Sequence, residues 1–245
     1  MTSPKYTDMY AQSESNTQYR KITSDHVSTM TVDGKEVLKV DSEGLRLLTA
    51  EAMHDISHLL RTSHYEKLAK ILDDPEASDN DRFVARELFK NANIAASMVL
   101  PSCQDTGTGI ILGKKGQYVW TDGDDAESLN QGVIDTFTQT NLRYSQLAPK
   151  SLFEEANTKT NGPAQVDVYA TEGNEYHFLF VAKGGGSANK TFLYQQTPAV
   201  LLAGASPLRV STQPDSTTIM RGPCGPVFCW PRFLWTPQFS HDNWR

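Results

Sequence analysis

The stretch LPSCQDTGTGIIL, residues 100–112, separates a helical part of the chain from a strand-rich part. Before it, apolar residues recur at three- and four-residue steps, which is typical of amphipathic helices. After it come short apolar runs bounded by glycine, asparagine and aspartate, which indicate strands and turns. The sequence therefore predicts an α/β or α+β fold in which an N-terminal helical layer packs on a hairpin-rich sheet.

Three helices are predicted before this stretch. The first runs from Ser42 to about Arg61, a second starts with capping-box spacing at Ser63, and a third starts near Ser78. The apolar stripe of the first helix comprises Leu45, Leu48, Ala52, Met53, Ile56, Leu59 and Leu60. The side chains expected to point inward from the third helix are Phe83, Val84, Leu88, Phe89, Ala92 and Ala95.

Strand pairs and one further helix are predicted from the remaining periodicities. The three predicted hairpins pair residues 27–30 with 36–40, 110–112 with 118–120, and 166–170 with 176–182. Asp33-Gly34 between β-forming residues is the strongest of the turn signals. The last hairpin delivers the chain to a glycine-rich loop. A fourth helix is expected from Asp125 to about Tyr144, with Arg143 near its end.

The residues with the clearest chemistry lie in two glycine-containing elements. The run from Pro101 to Gly109 places the Cys103 thiol beside an amide, a carboxylate, hydroxyls and glycines that let a ligand approach the backbone. The second element, Lys183 to Lys190, suits an anion because its lysines are positively charged and its glycine N–H groups are unhindered. Together they predict a metal or cluster site that acts on a carboxylate substrate.

Each motif also has a simpler interpretation. An isolated cysteine is more often a small buried apolar residue than a ligand, and a triple glycine can be only a tight connection. The Walker A pattern is not met, because, counted from Gly184, the position that requires its second glycine is occupied by Asn189. His54 and His58 are interpreted as helix-surface residues rather than zinc ligands. Residues 122–125 are interpreted as a solvated turn at a helix N-terminus rather than a calcium loop.

Charge and cysteine content narrow the class of protein. The 245 residues include 23 Lys plus Arg against 29 Asp plus Glu, for a net charge of −6. This balance gives no electrostatic basis for binding nucleic acid or an anionic membrane. The three cysteines are an odd number, and residues 1–24 have neither a secretory nor a transit-peptide pattern. We therefore expect a folded cytoplasmic protein, with a mitochondrial location left open.

The composition changes at residue 198. Residues 198–245 contain no Lys and no Glu, whereas the first 197 residues contain 13 Lys and 12 Glu. The same segment holds seven of the 12 prolines, which interrupt every candidate helix or central strand, and three of the four tryptophans. We predict a polar lead-in at 1–23, a folded body at 24–197 and an irregular tail at 198–245 that lies outside the body's fold. Its Cys224 and Cys229 are interpreted as free thiols.

Four sequence blocks follow each other in an order that is similar to a known family. They are Asp74-Pro75-Glu76-Ala77-Ser78, Leu100 to Thr108, Asn141-Leu142-Arg143-Tyr144-Ser145-Gln146, and Lys183 to Thr191. On these blocks, residues 24–195 resemble the iron–sulfur class I fumarate hydratases and the related tartrate dehydratase α chains. The resemblance implies that the body is the incomplete α domain of a hydro-lyase that interconverts fumarate and L-malate. It also implies a homodimer for the intact enzyme.

The resemblance further implies a cofactor and a substrate site. In that family three cysteines hold a [4Fe–4S] cluster, and its fourth iron is open to the substrate. Cys103 would be the first ligand, and Gln104 and Asp105 would lie beside the dicarboxylate, with Asp105 catalytic. Arg143 would hold a carboxylate and Gly186 would contact it through the backbone. Two alternatives stay open: a tartrate dehydratase-type hydro-lyase, and a non-catalytic truncated product without a cluster.

Overall fold

The computed structural model describes residues 19–105 and 107–184, of which 22–184 lie in one compact unit. The helices are α1 (Ser42–His58), α2 (Thr62–Asp73), α3 (Asp79–Ala95) and α4 (Asp125–Gln139). The strands are β1 (Val27–Val32), β2 (Lys35–Val40), β3 (Thr108–Gly116), β4 (Val119–Thr121), β5 (Leu147–Pro149), β6 (Glu155–Asn157), β7 (Gln165–Thr171) and β8 (Tyr176–Lys183). The predicted mixed class of helices and strands is confirmed. Among the described residues, no helix is long and apolar enough to cross a membrane.

The core forms where α1 and α4 pack on each other and on β3. Met53, Ile111 and Val133, one from each element, are completely buried in a single apolar cluster. The two helices approach closely at Gly132, where a Cβ would lie 2.4 Å from the carbonyl oxygen of Arg46. Dense packing of apolar side chains is the main stabilising contribution in such a core. It also fixes the C-terminal ends of α1 and α4, beside which the predicted site residues lie.

Strand β3 lies in the centre of its sheet, and this position corrects two predicted hairpins. The strand order is β7-β3-β8, with β3 parallel to β7 and antiparallel to β8. Residues 166–170 and 176–182 are both strands, as predicted, but their predicted pairing is wrong because β3 is inserted between them. The predicted pairing of 110–112 with 118–120 is also wrong, because β4 pairs in parallel with β2.

The connection between β7 and β8 explains why β3 and β4 do not form a hairpin. Its backbone accepts hydrogen bonds from the end of β3 and from the residues between β3 and β4: Gly116 N–H donates to the Glu175 carbonyl at 2.9 Å, and Tyr118 N–H donates to the Gly173 carbonyl at 3.0 Å. A Cβ at Gly116 would lie 2.5 Å from the Gly173 oxygen, so the approach depends on glycine. These bonds replace the ones that a β3–β4 hairpin would use.

The first predicted hairpin is confirmed. Strands β1 and β2 are antiparallel, with register from Val27 opposite Val40 to Val32 opposite Lys35. The connecting residues Asp33 and Gly34 both have positive φ, at 48° and 75°. A two-residue turn of this kind matches the twist of the strands it joins, which is why Asp-Gly is a reliable local signal.

Helix starts are predicted correctly for α3 and incorrectly for α2. The Ser78 side chain accepts from the Asp81 N–H, and the Asp81 carboxylate accepts from the Ser78 N–H, so α3 begins with a complete capping box. Helix α2 instead begins at Thr62 after Arg61, which makes no side-chain capping bond. Ser63 therefore lies inside the helix and cannot cap it.

The inward face predicted for α3 is narrower than expected. Its buried residues are Ala85, Ala92 and Ala95. Phe89 is half-buried and stacks on Tyr65 of α2 with ring centroids 6.0 Å apart. The assignment is wrong for Phe83, Val84 and Leu88, which are exposed by 59%, 45% and 45%. The buried face of α3 thus consists of small side chains, and Phe89 is the large side chain of the predicted set that contacts α2.

The C-terminal end of α1 also differs from the prediction. The helix ends at His58, and Leu59 and Leu60 are exposed. His58 itself is buried, which corrects its assignment to the helix surface. Its Nδ1 lies 2.7 Å from the carbonyl oxygen of His54 and is the donor in that pair, because a carbonyl can only accept. The imidazole is thus a packed and hydrogen-bonded part of the α1 end.

Candidate active site

The Cys103 loop is anchored by the residue before it. Ser102 N–H donates to the carbonyl oxygen of Ser57 at 2.8 Å, and its hydroxyl donates to the same oxygen at 3.1 Å. On the other side, the Asn91 Nδ2 of α3 donates to the Ser102 carbonyl at 2.7 Å. The loop is therefore tied to the ends of two helices. The Cys103 thiol is exposed, and it accepts from the Asp105 N–H at 3.4 Å.

The described start of the second glycine-containing element, Lys183 and Gly184, lies against the first element. In the β3–β8 ladder Thr108 pairs with Lys183, so the start of one strand lies beside the end of the other. A Cβ at Gly107 would lie only 1.7 Å from the Lys183 carbonyl oxygen, and one at Gly184 would lie 2.5 Å from the Asp105 carboxylate. Only glycine permits these approaches. Asp105 is half-buried at this junction, and Gln104 is exposed beside it.

Arg143 lies on a loop after α4 and not in the helix. The helix ends at Gln139, and Thr140 already has extended backbone, which corrects the predicted end near Tyr144. Leu142 is buried in the core cluster, whereas Arg143 is exposed. The Asn141 Nδ2 donates to the Val99 carbonyl at 3.0 Å, so this loop also contacts the segment that leads to Cys103.

Asn161 joins the Arg143 loop to the Cys103 loop. Its Oδ1 accepts from the Ser145 and Gln146 N–H groups, both at 3.1 Å, and its Nδ2 donates to the Gly107 carbonyl. The side chain is completely buried. Asn161 is not among the predicted site residues, because a polar residue between strands has no periodicity. The Asn-Gly dipeptide at 161–162 was the available signal, since it marks a turn.

A second polar network holds the start of α4. Lys115 Nζ lies 2.7 Å from Asp125 Oδ2, and the Tyr176 hydroxyl donates to the same oxygen at 2.9 Å. The interpretation of this region as a solvated turn holds for Asp124, which caps α4 by accepting from the Ala126 and Glu127 N–H groups. It is wrong for Asp125, whose side chain is only 15% exposed.

The same network shifts two pKa values in opposite directions. Burial raises the pKa of the Asp125 carboxyl, but hydrogen bonds from Lys115, Thr121 and Tyr176 together lower it more, so the pKa lies below its ordinary value. Burial, assisted by the Asp125 charge, raises the pKa of the Tyr176 hydroxyl far above its ordinary value. At neutral pH Asp125 is therefore ionised and the Tyr176 phenol is neutral, and their hydrogen bond connects β8 to the start of α4.

The described residues supply one thiol for a metal cluster. Within 19–105 and 107–184, no group of three His, Cys, Asp or Glu side chains is arranged to hold a metal ion. The exposed Cys103 thiol fits one ligand position of an iron–sulfur cluster, which needs several thiolates. The described residues alone therefore do not form a complete cluster site. Gly186, Cys224 and Cys229 lie outside the described residues.

The structure therefore shows a mixed α/β protein in which hydrogen bonds connect the loops that carry Cys103, Asp105 and Arg143. A family model described as fumarate hydratase (Fumerase) matches residues 46–228. The chain belongs to this family. The match extends beyond residue 197, where the composition changes, and the assignment of 198–245 as outside the family fold stays a prediction.

Curated relatives agree with the family model. The anaerobic class I fumarate hydratase of Escherichia coli K12 is 54% identical over 199 residues, which are 81% of this chain and 36% of the relative. The aerobic class I fumarate hydratase of the same strain is 56% identical over 189 residues, 77% of this chain and 34% of the relative. Fumarate hydratase 1, mitochondrial, of Leishmania major is 54% identical over 191 residues, 77% of this chain and 35% of the relative. The chain thus spans about a third of the length of these relatives.

Proposed function

We propose that this chain is part of a fumarate hydratase, a hydro-lyase that adds water reversibly to fumarate to give L-malate. One observation carries the proposal: in a chain that belongs to this family, Asp105 and Arg143 lie on loops that Asn161 ties together. Fumarate is a dianion with a carboxylate at each end, so its site needs cationic and N–H donors around a reacting centre. The adjoining loops supply side chains of both kinds.

Each predicted site residue has a role that its chemistry suits. Arg143 holds one substrate carboxylate with two parallel hydrogen bonds, which a planar guanidinium provides. Gln104 donates an amide N–H to the substrate, and Gly186 donates its backbone N–H. The water oxygen bonds to one alkene carbon and a proton reaches the other, so no atom is left over. Asp105 orients the water or moves that proton, and this makes it the catalytic residue.

The proposed cofactor is a [4Fe–4S] cluster, with Cys103 as one of its ligands and the others outside the described residues. When bound, its open iron supplies a Lewis acid for the substrate oxygens. The position of Cys103 two residues before Asp105 supports this proposal, because cofactor and proton-transfer group would then act on the same small molecule. We further propose that the intact enzyme is a homodimer in the cytoplasm or the mitochondrion, and that it acts on a small dicarboxylate and binds neither nucleic acid nor membrane.

The function is tested by joining this chain to the complete C-terminal continuation of a class I fumarate hydratase. We expect the joined chain, prepared and assayed anaerobically, to convert fumarate to malate. Absence of malate from a joined chain that carries its cluster would contradict the proposal. Faster dehydration of tartrate than of malate in competition would favour the tartrate alternative. Iron and sulfide analysis of the chain by itself tests the cluster-free alternative, which a stoichiometric cluster would exclude.

Variants of the joined chain separate the roles of Asp105 and Arg143. We expect Asp105→Asn to lower kcat by about 100-fold or more, because an amide cannot accept the proton, with a smaller change in KM. Arg143→Lys should chiefly raise KM, because an ammonium cannot form the paired hydrogen bonds. Lys150→Gln, which removes an exposed charge elsewhere, is the control for both. Equal losses of kcat with unchanged KM in both variants would contradict the assignment.

A further inference from the structure

Asn161 has a backbone and an environment that a loop residue does not adopt without a reason. Its φ is +56°, in the left-handed region, and its side chain is completely buried. Asparagine tolerates this backbone better than most residues, although glycine is easier still. A buried amide that lost its hydrogen bonds would be destabilising, so the side chain must be paired. In the structure, both the oxygen and the nitrogen of the Asn161 amide have hydrogen-bond partners.

The side-chain amide of Asn161 hydrogen-bonds to two loops, and these partners fix its orientation. The Ser145 and Gln146 N–H groups can only donate, so the atom that faces them is Oδ1. The Gly107 carbonyl can only accept, so the atom that faces it is Nδ2. No other side chain of this size offers an acceptor for two donors and a donor on the opposite side. Aspartate lacks the donor and glutamine is one methylene longer.

The two loops that Asn161 joins are those that carry the proposed site. Gly107 follows Asp105 by two residues and lies against Lys183, and Ser145 follows Arg143 by two residues. The segment around Asn161 reinforces the link: Gln146 Nε2 donates to the Pro163 carbonyl at 3.0 Å, and Asn157 Nδ2 donates to the Tyr144 carbonyl at 3.1 Å. These two bonds are exposed to solvent, whereas Asn161 is buried and hydrogen-bonds to both loops.

We infer that Asn161 is a positioning residue that sets the separation of Arg143 from Asp105 and thereby the fit of a dicarboxylate between them. For its catalytic consequence the inference rests on the proposed function. The side chain contacts neither substrate nor cofactor in this role, and it acts through the backbone of the two loops. A displacement of about 1 Å between a binding group and a reacting group can lower an enzyme's rate by about 100-fold.

The test uses Asn161→Gly, which keeps the left-handed backbone accessible and removes only the amide. Lys159→Gly is the matched control, because Lys159 has φ of +60° two residues earlier and its side chain is exposed. In the full chain we expect the Ser145 and Gln146 amides to exchange hydrogen about tenfold faster in Asn161→Gly than in Lys159→Gly. In the joined chain we expect kcat/KM for fumarate to fall by about 100-fold in Asn161→Gly, with KM raised, and to be unchanged in Lys159→Gly.

Two results would overturn the inference: unchanged exchange of the Ser145 and Gln146 amides, or faster exchange with unchanged kcat/KM in protein that is fully folded. Should Asn161→Gly not fold, Asn161→Asp decides the question, because it keeps the acceptor and loses the donor. We expect protected amides and reduced kcat/KM in that variant, and full activity would refute the role of the Gly107 bond. If the unsubstituted joined chain makes no malate, the proposed function fails, whereas the exchange result still decides whether Asn161 orders the Arg143 loop.

Discussion

Asp125 shows how a single carboxylate links the stability of the fold to pH. Its pKa is lower in the folded chain than in the unfolded chain, so the stabilisation it gives is fully present above the ordinary carboxyl pKa of about 4. That stabilisation disappears as the pH falls through the lower, folded-state pKa. We therefore expect Asp125→Asn to destabilise the chain at pH 6 and to show a smaller deficit at pH 3, because the stabilisation declines as the pH falls below the ordinary carboxyl pKa. Urea unfolding at the two pH values measures the difference.

The control for the Asp125 experiment is Glu154→Gln, which removes the same charge from an exposed side chain. Its effect on the unfolding free energy should be small at both pH values. A deficit in Asp125→Asn that is equal at pH 6 and pH 3 would contradict the assignment of the stabilisation to the ionised carboxylate.

Gly107 tests the close approach of the two glycine-containing elements. An added Cβ would meet the Lys183 carbonyl oxygen at 1.7 Å, in addition to the strain of φ at +55°. Gly34 has φ of +75° with nothing within 4 Å of the same position, so Gly34→Ala measures the backbone strain alone. We expect Gly34→Ala to cost about 1–2 kcal/mol of unfolding free energy and Gly107→Ala to cost clearly more. Equal losses in urea unfolding would mean that Gly107 does not lie against Lys183.

At the scale of elements, the central position of β3 has a direct experimental signature. A strand paired on both sides has all of its N–H groups in hydrogen bonds, whereas an edge strand leaves alternate groups unpaired. We expect consecutive amides from Ile110 to Lys115 to be protected from hydrogen exchange, and alternate amides of β7 to exchange faster. Nuclear magnetic resonance of the exchanging chain resolves the two patterns. Alternating protection along β3 would instead support the predicted hairpin of residues 110–112 with 118–120.

The elements show which structural signals are local and which are not. Asp33-Gly34 predicts its hairpin because the turn alone sets the register, and Ser78 predicts the start of α3 because a capping box spans only a few residues. The insertion of β3 between β7 and β8 is a pairing between distant parts of the chain. The alternation of apolar and polar residues along a strand indicates which face of the sheet each side chain occupies. It does not indicate which strand lies beside it. The sequence therefore predicts the strands and misses their order.

The same distinction between local signals and long-range contacts applies to the candidate site. Cys103, Asp105 and the glycines beside them were predicted from residue type, because the polar groups that surround the thiol in this short loop would each need a hydrogen-bond partner in a dry core. Arg143 was placed in a helix because apolar spacing continues toward it, but tertiary bonds from Asn161 hold the loop in another conformation. Such bonds depend on the folded chain and leave no periodic pattern. This explains why the positioning residue was not found from sequence.

At the scale of the whole molecule, the chain combines a packed core with an apolar surface on α3. Leu129 is completely buried, whereas Phe83 and Leu88 are exposed although they are large and apolar. Such a surface binds apolar dyes and promotes association. We expect the double substitution Phe83→Ser and Leu88→Ser to reduce anilinonaphthalene sulfonate fluorescence and to change the unfolding free energy by no more than about 0.5 kcal/mol per site.

Leu129→Ala provides the comparison for the α3 surface, because it removes a fully buried side chain from the core cluster and should cost about 2–5 kcal/mol. Urea unfolding of the unsubstituted chain, the double variant and Leu129→Ala, together with the dye fluorescence, distinguishes a loss of surface apolar groups from a loss of core packing. If the double variant lost as much unfolding free energy as Leu129→Ala, Phe83 and Leu88 would have to be covered in the folded chain by residues outside 19–105 and 107–184. We expect weaker dye binding at nearly unchanged unfolding free energy. This result would mean that the exposed face of α3 does not stabilise the described part of the chain.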